Sequence, residues 1–315
     1  MYPKLKIRGA PLTFLLVLLT APVPAVSAEQ RPIGVSRDLE GMWTGGTLTP
    51  IERPPELANK THFDPSELQQ QQELSTKRFW EAGHRAGDVG RDNDAFLQQD
   101  LKLLPSGQTS LVVDPPDGKV RIRPEAETRR DYNLSAFDTY ESMSQYDRCI
   151  TRQPMALFPV AYNNAYQIVQ TRTHIVIVAE MVHDARIVAI DGGAHVDGRI
   201  RSMSGDSRGH WEGNTLVVES TNFDGRGWLF TSMNATRLRG IPYSQELRLI
   251  ERFTRIDATT LQYEVTIEDP KNYERPWTMK YPWTRDEAYR MYEYACHEGN
   301  SAVQAMMGGA RAQGK

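Results

Sequence analysis

A thiol, an imidazole and a carboxylate follow one another near the end of the sequence, at Cys296, His297 and Glu298. His297 is able to transfer a proton near neutral pH, and Glu298 can orient an imidazole or act as a second carboxylate. The alternative is structural, with Gly299 supplying the left-handed cap that closes a helix or turn. Both interpretations stay open, so His297 and Glu298 are candidate catalytic residues.

A second group of ionisable side chains, His183, Asp184 and Arg186, follows an apolar run that is typical of a strand. His183 and Asp184 are candidates for acid-base catalysis, and Arg186 can hold an anionic group. Successive strand residues point to opposite faces, so His183 shares a face with Asp184 only if a turn rotates them. The alternative is that Asp184 and Arg186 form an ion pair on one face while His183 fills a turn.

Asp206 and Arg208 alternate along a further strand-like run, which places opposite charges on one face. If that face points into a barrel, the pair polarises a pocket and Asp206 is a candidate catalytic residue, although such pairs are also structural. Trp211, a little further along, is either a core residue beside a turn or a ligand contact.

Two neighbouring amides, Asn163 and Asn164, precede a predicted strand. They are able to bind a ligand carbonyl or hydroxyl, although asparagines in this position also form turns. The candidate ligand contacts are Asn163, Asn164, Arg186, Arg208, Trp211 and Asn300. The candidate catalytic residues are His183, Asp184, Asp206, His297 and Glu298.

Metal and cofactor chemistry is not predicted. The histidines lack the His-x-His and His-x₃-His spacings, and the cysteines lack the Cys-x₂-Cys spacing, of preformed zinc sites. The sequence has neither a phosphate-binding glycine loop nor a dinucleotide-binding fingerprint, and a Ser-His-Asp hydrolase is not expected. We therefore expect no metal and no cofactor, and a metalloenzyme is kept only as a third alternative.

The N-terminal residues 1–28 have the pattern of a secretory signal peptide. A basic start is followed by an apolar run and by small residues up to Ala28, after which we expect cleavage. The alternative, a membrane anchor, needs roughly 20 apolar residues, and this run is shorter and contains prolines. The mature protein is therefore predicted to be periplasmic or secreted, with no membrane span.

Charge excludes nucleic acid as an expected partner. The whole chain of 315 residues has a formal net charge of −3, and residues 1–28 carry three cations and no acidic residue, so the mature chain has −3 − 3 = −6. Phosphate binding requires a basic surface. The oligomeric state is not predicted.

The two cysteines are predicted to form one disulfide, Cys149 to Cys296, because exported proteins rarely keep free thiols. The alternative is a pair of unlinked thiols. In the chain-entropy model, closing so long a loop stabilises a protein by up to about 5 kcal/mol.

Hydrophobic periodicity predicts a mainly β protein. Residues 29–145 are expected to hold a first strand, helices and a strand–turn–strand hairpin at 111–122, all packing on a barrel; one helix should begin at Asp64 and Pro65. Residues 146–300 are expected to form the main antiparallel barrel and 301–315 a flexible tail. The longest predicted strands are 246–256 and 260–268.

Six phrases together resemble a large family of exported bacterial proteins, most of them uncharacterised. They are GMWTGGTL (41–48), VVDPPDG (112–118), YNNAYQI (162–168), EMVHDARI (180–187), GDSRGHWEG (205–213) and YEYACHEGN (292–300). The resemblance covers nearly the whole mature chain. It implies a bacterial origin, a periplasmic or secreted location and a lipocalin-like (calycin-type) barrel, and it supplies no reaction.

Six tryptophans and 13 tyrosines favour a barrel with an apolar cavity for a small hydrophobic or aromatic molecule. The leading hypothesis places His183, Asp206 and His297 at the mouth of that cavity for metal-free hydration, elimination or isomerisation. The alternative is an extracytoplasmic binding protein that uses the same cavity without turnover. Whether the protein is an enzyme is left open.

Overall fold

The computed structural model of the protein describes residues 37–81, 97–98, 100–312 and 314. The predicted signal peptide, 1–28, lies outside the described residues. The strands are β1 Gly41–Thr44, β2 Val112–Asp114, β3 Ala165–Gln170, β4 His174–Ala179, β5 Ala185–Ala189, β6 Asp206–Glu212, β7 Thr215–Thr221, β8 Arg248–Arg255, β9 Thr260–Glu268 and β10 Trp277–Arg285. The helices are α1 Pro65–Glu81, α2 Pro124–Ser135 and α3 Ala302–Ala312, with 3₁₀ turns at Pro55–Leu57, Tyr140–Ser142, Met181–His183 and Met233–Leu238.

Nine of these strands close into a barrel in the order β1, β3 to β10, and back to β1. Trp43 of β1 lies at the closure, because it pairs with Tyr166 of β3 on one side and with Arg285 of β10 on the other. Closure leaves no long exposed strand edge in the barrel wall. The predicted mainly β, lipocalin-like barrel is therefore confirmed.

One strand pair departs from the antiparallel pattern. β5 and β6 are parallel, with Val188 opposite Ser207 and Ala189 opposite Arg208. A tight turn cannot join parallel strands, and residues 190–205 accordingly carry the chain back before β6 begins. Turn residues follow β5 in the sequence, and they predict a tight turn into an antiparallel neighbour.

The barrel interior is filled by large side chains. Strict alternation along β8, β9 and β10 buries one face of each strand. Trp283 stacks on Tyr166 and Tyr263, with ring centroids 4.5 and 5.1 Å apart. These rings occupy the space in which an apolar cavity was predicted, so the expectation of a ligand cavity inside the barrel is corrected.

The N-terminal segment contacts the barrel through β2, which pairs with β10. Asp64 caps α1, because its Oδ1 accepts hydrogen bonds from the N–H groups of Ser66 and Glu67, each 2.9 Å long. The predicted helix start is confirmed. Later in α1, Gln72 accepts from the N–H of Leu103 at 2.6 Å, which ties α1 to the segment beside the cleft described below.

The predicted hairpin at 111–122 does not form. Its first half, β2, pairs instead with β10, where Val112 lies opposite Met279. Ile122 makes an isolated bridge with Tyr273. The turn is present, since the N–H of Gly118 donates to the carbonyl of Pro115, but β10 offers the longer partner strand.

The C-terminal residues also differ from expectation, because 301–315 contain α3 where a flexible tail was predicted. The side chain of Asn300 caps this helix by accepting from the N–H of Ala302 at 3.0 Å. Among the described residues, no helix is long and apolar enough to cross a membrane.

Candidate functional site

A cavity of about 1080 Å³, here called the cleft, lies against the outside of the barrel wall. Its inner wall includes Pro282 and Thr284, which face outwards because Trp283 between them faces inwards. Gln98, Asp100 and residues 102–105 form a second wall. The third is formed by the start of residues 286–301, here called the strap.

A second cavity of about 420 Å³, here called the side pocket, lies beside the Cys149–Cys296 disulfide. It shares Tyr162, Asn163 and Glu293 with the cleft, so the two cavities adjoin. The strap contributes to the lining of both. A ligand in either cavity therefore contacts the same segment of chain.

Asn164, at the wall of the cleft, has an unsatisfied donor. The residue is 5% exposed, and its Oδ1 accepts from the hydroxyl of Tyr166 at 3.2 Å. Its Nδ2 is buried and has no hydrogen-bond partner among the described residues. A buried amide N–H without a partner costs free energy, so this group is suited to a ligand acceptor.

The neighbouring Asn163 lines both cavities in a left-handed backbone conformation, with φ 43°. Asparagine tolerates this conformation better than most residues, which fits the turn-forming alternative. Both predicted amides thus lie at the cleft. Only Asn164 has a buried donor left without a partner.

Three phenols meet where the two cavities adjoin. The hydroxyl of Tyr146 lies 3.0 Å from that of Tyr162 and 2.5 Å from that of Tyr294. Burial raises the pKa of Tyr294 to about 12 and that of Tyr146 further. Tyr146 and Tyr294 therefore stay protonated near neutral pH and act as hydrogen-bonding groups rather than as bases.

His183 contacts the strap at the end of the barrel. Its Nε2 accepts a hydrogen bond of 3.0 Å from the N–H of Tyr294. Val182 and His183 both have positive φ, 65° and 53°, and a β-branched residue in this region is a genuine outlier. The turn takes His183 out of the strand alternation, which the catalytic interpretation requires. Its contact with Tyr294 positions the strap.

Asp184 accepts hydrogen bonds from the hydroxyl of Thr151 at 2.8 Å and from the N–H of Arg152. Burial raises the pKa of the Asp184 carboxyl, while these two donors oppose the shift. Asp184 therefore ties the 151–152 segment to the start of β5. Asp184 does not form the ion pair with Arg186 that the structural alternative predicts.

The predicted disulfide between Cys149 and Cys296 is present. Asn300 donates to the carbonyl of Asp147 at 3.0 Å, and it lines the side pocket. His297 and Glu298 follow the disulfide as exposed residues, and Glu298 also lines the side pocket. The disulfide and Asn300 together hold the end of the strap.

Asp206 lies apart from this end of the barrel. Its carboxylate contacts the Nδ1 of His195 at 2.6 Å and the Nε of Arg208 at 3.3 Å, on the outer face of β6. Because β5 and β6 run in parallel, Asp206 is level with Ile187, about 10 Å along the strand from Asp184. Asp206 and Arg208 therefore do not point into the barrel as expected. The expectation that Asp206 converges with His183 and His297 is corrected.

Two predicted ligand contacts have other partners. Arg186 points into the barrel, where its guanidinium forms two hydrogen bonds with Glu251, 2.6 and 3.0 Å long. Trp211 is partly buried against the core, under the guanidinium of Arg37. Neither residue lines the cleft or the side pocket.

Gly205, Ser207 and Gly209 have the Gly-x-Ser-x-Gly spacing of a hydrolase nucleophile, although no hydrolase is expected. In α/β-hydrolases this spacing forms a sharp strand-to-helix turn that exposes the serine. Ser207 instead lies within β6, faces the interior and shares a hydrogen bond of 2.7 Å with Ser220. The spacing here belongs to a strand with a buried serine.

In the part of the chain that the structure describes, no three His, Cys, Asp or Glu side chains are grouped so that they could hold a metal ion. Comparisons with protein-family models, curated proteins and solved structures found no match for the chain. The fold and the two cavities define a closed β-barrel protein with its candidate site outside the barrel.

Proposed function

We propose that this chain is an extracytoplasmic binding protein for a small hydrophobic or aromatic molecule, which it holds in the cleft outside the barrel. The single observation that carries the proposal is the buried, unpartnered Nδ2 of Asn164 at the cleft wall. A ligand oxygen that accepts from this N–H offsets the cost of burying it.

The lining supports a ligand with both aromatic and polar parts. Tyr162, Tyr289 and Tyr292 border the cleft, and tyrosine rings offer large apolar surfaces with polar tips. The cavity volume of about 1080 Å³ lies just above the usual range of small-molecule sites, about 300–1,000 Å³.

Export is supported by the disulfide and by the signal-like pattern of residues 1–28. The bacterial origin and the family remain predictions that rest on the resemblance alone.

Binding without turnover is favoured over acid-base catalysis because the candidate catalytic groups have structural partners or lie elsewhere. Asp206 pairs with His195 on the outer face of β6, and Asp184 accepts from Thr151 and Arg152. A catalytic acid and base have to reach one reacting atom, and these groups do not share a cavity.

The test is calorimetric titration of the protein with 2-naphthol, an aromatic probe with one hydroxyl. We expect saturable binding of one molecule per chain. Thr284→Trp places an indole in the cleft from an exposed position, and it should weaken binding at least about tenfold by filling the space.

The matched control is Ile187→Trp, at an outward-facing position of β5 that is 62% exposed and outside both cavities. Its affinity for 2-naphthol should equal that of the wild type. Absence of saturable binding, or equal affinities in the two tryptophan variants, contradicts the proposal.

A further inference from the structure

We propose that the ligand of the cleft carries a positive charge, as a substituted ammonium group that binds in the corner between the rings of Tyr289 and Tyr292. This inference rests on the proposed function and narrows the class of the ligand to an aromatic organic cation. The strap supplies both rings of the corner.

The two rings stand nearly perpendicular to each other. The ring centroids of Tyr289 and Tyr292 are 6.1 Å apart, with an interplanar angle of 82°. Both residues line the cleft. Two perpendicular rings form a corner in which one group can contact the faces of both. The face of an aromatic ring is negative and attracts an ammonium group within about 6 Å of the centroid, so this corner is suited to a cation.

A buried carboxylate is hydrogen-bonded to both tyrosines. Glu180 is 1% exposed, and it accepts from the hydroxyl of Tyr289 at 2.8 and 2.9 Å and from the N–H of Tyr292 at 2.8 Å. These donors are neutral, whereas a buried charge is stabilised best by an opposite charge nearby. A cation in the corner supplies that charge.

The hydrogen bond to Glu180 also acts on the ring of Tyr289. A phenol that donates to a carboxylate gains electron density in its ring, which strengthens the attraction of the ring face for a cation. The same bond fixes the orientation of the ring. The corner is therefore both held in place and made more negative before a ligand enters.

The charged residues of the lining make the strap side of the cleft negative. The lining contains three carboxylates and two cationic groups, which are Asp100, Asp286, Glu293, Lys102 and Arg285. Arg285 forms an ion pair with Glu287. Lys102 belongs to the second wall, whereas Glu293 follows Tyr292 directly on the strap. A cation therefore meets a carboxylate beside the ring corner.

The experiment titrates the full chain calorimetrically with 3-hydroxyphenyltrimethylammonium and with 3-tert-butylphenol, which have nearly the same shape and differ in charge. We expect the cation to bind about tenfold or more tightly than the neutral phenol. Added salt should weaken binding of the cation and not that of the neutral phenol, because salt screens attraction to the carboxylates.

Two substitutions of Tyr292 test the ring. Tyr292 is 69% exposed, so its replacement should leave the fold intact. Tyr292→Leu removes the ring and should reduce the preference for the cation at least about threefold. Tyr292→Phe keeps the ring and should restore the preference. Tyr140→Leu is the matched control, because Tyr140 is 54% exposed and lines neither cavity, and it should behave like the wild type.

Glu293→Gln tests the carboxylate beside the corner. It removes the charge and keeps the shape of the side chain, so it should lower the affinity for the cation a few-fold more than the affinity for 3-tert-butylphenol. The matched control is Glu125→Gln, at an exposed position of α2 outside both cavities. This control should keep the wild-type preference.

Equal affinities for the two probes, or a preference for the cation that persists in Tyr292→Leu, overturn the cation proposal. Failure of the cation to bind a protein that binds 2-naphthol also overturns it, and the proposed binding function then stands. If the cation, 3-tert-butylphenol and 2-naphthol all fail to bind, the proposed function is contradicted together with this inference.

Discussion

The Nε2 of His183 accepts a hydrogen bond of 3.0 Å from the backbone N–H of Tyr294, and this contact joins the end of the barrel to the strap. Nearby, the carboxylate of Glu180 accepts from the hydroxyl of Tyr289 and from the N–H of Tyr292, each at 2.8 Å. The disulfide at Cys296 follows. The strap that borders both cavities is therefore held by a series of fixed contacts.

Removing the disulfide by Cys149→Ser together with Cys296→Ser should lower the free energy of unfolding by about 2–5 kcal/mol, because the unfolded chain gains freedom. Binding of 2-naphthol should weaken as well, since the strap borders the cleft. Urea unfolding and calorimetry measure the two effects. Wild-type protein in reductant is the control and should behave like the variant, and an unchanged unfolding free energy contradicts the expectation.

His183→Asn should weaken binding of 2-naphthol a few-fold. Asparagine tolerates the positive φ at this position, but it does not place an acceptor where the imidazole Nε2 meets the N–H of Tyr294. His297→Asn is the matched comparison, and it should leave the affinity unchanged because His297 is exposed and lines neither cavity. Equal losses in the two variants would show that the strap contact is not the cause.

Glu251→Gln should lower the free energy of unfolding by about 3–5 kcal/mol, because it leaves the guanidinium of Arg186 buried without a counter-charge. Arg186→Leu combined with Glu251→Leu should recover most of the loss, since both buried charges are then gone. Urea unfolding of the single and double variants checks this. A double variant less stable than the single one is the opposite result.

The carboxyl of Asp184 makes stability depend on pH. Burial raises its pKa above the ordinary 3.8, so the native state binds this proton more readily than the unfolded state does. The sign follows: its contribution to the free energy of unfolding falls as the pH rises from below 3.8 through the raised pKa.

Asp184→Asn removes that contribution, so the stability of the wild type relative to this variant should decrease over the same pH interval. Urea unfolding of both proteins at a series of acidic pH values measures the difference. Other carboxyls, such as Asp206 with its lowered pKa, contribute equally to both proteins, so their contributions cancel in the difference between the two unfolding free energies. A difference that stays constant or grows with pH is incompatible with a raised pKa.

Much of the fold is predictable from local patterns. Alternation at 260–268 gives β9 with the observed bounds, and Asp64 with Pro65 marks the start of α1. The disulfide follows from a count of two cysteines in a chain with a signal-like start. The strand and the helix start depend on residues that are close in sequence. The disulfide is predictable because two cysteines allow only one pairing.

The parallel β5–β6 pair and the partner of β2 were not predictable in this way, because strand order depends on contacts between distant residues. The same holds for the candidate site. Asn164 is a candidate from its residue type, but the other walls of the cleft come from distant parts of the chain, such as 102–105 and 282–286, and no motif links them. The phenols of Tyr146 and Tyr294 likewise meet only in the folded chain.

The placement of the ligand outside the barrel is tested most directly by a crystal structure of the protein soaked with 2-naphthol. We predict ring density in the cleft beside Tyr162, with the hydroxyl within hydrogen-bond distance of the Nδ2 of Asn164. Density for the probe inside the barrel, among the rings around Trp283, or no ordered probe in the cleft would contradict this account.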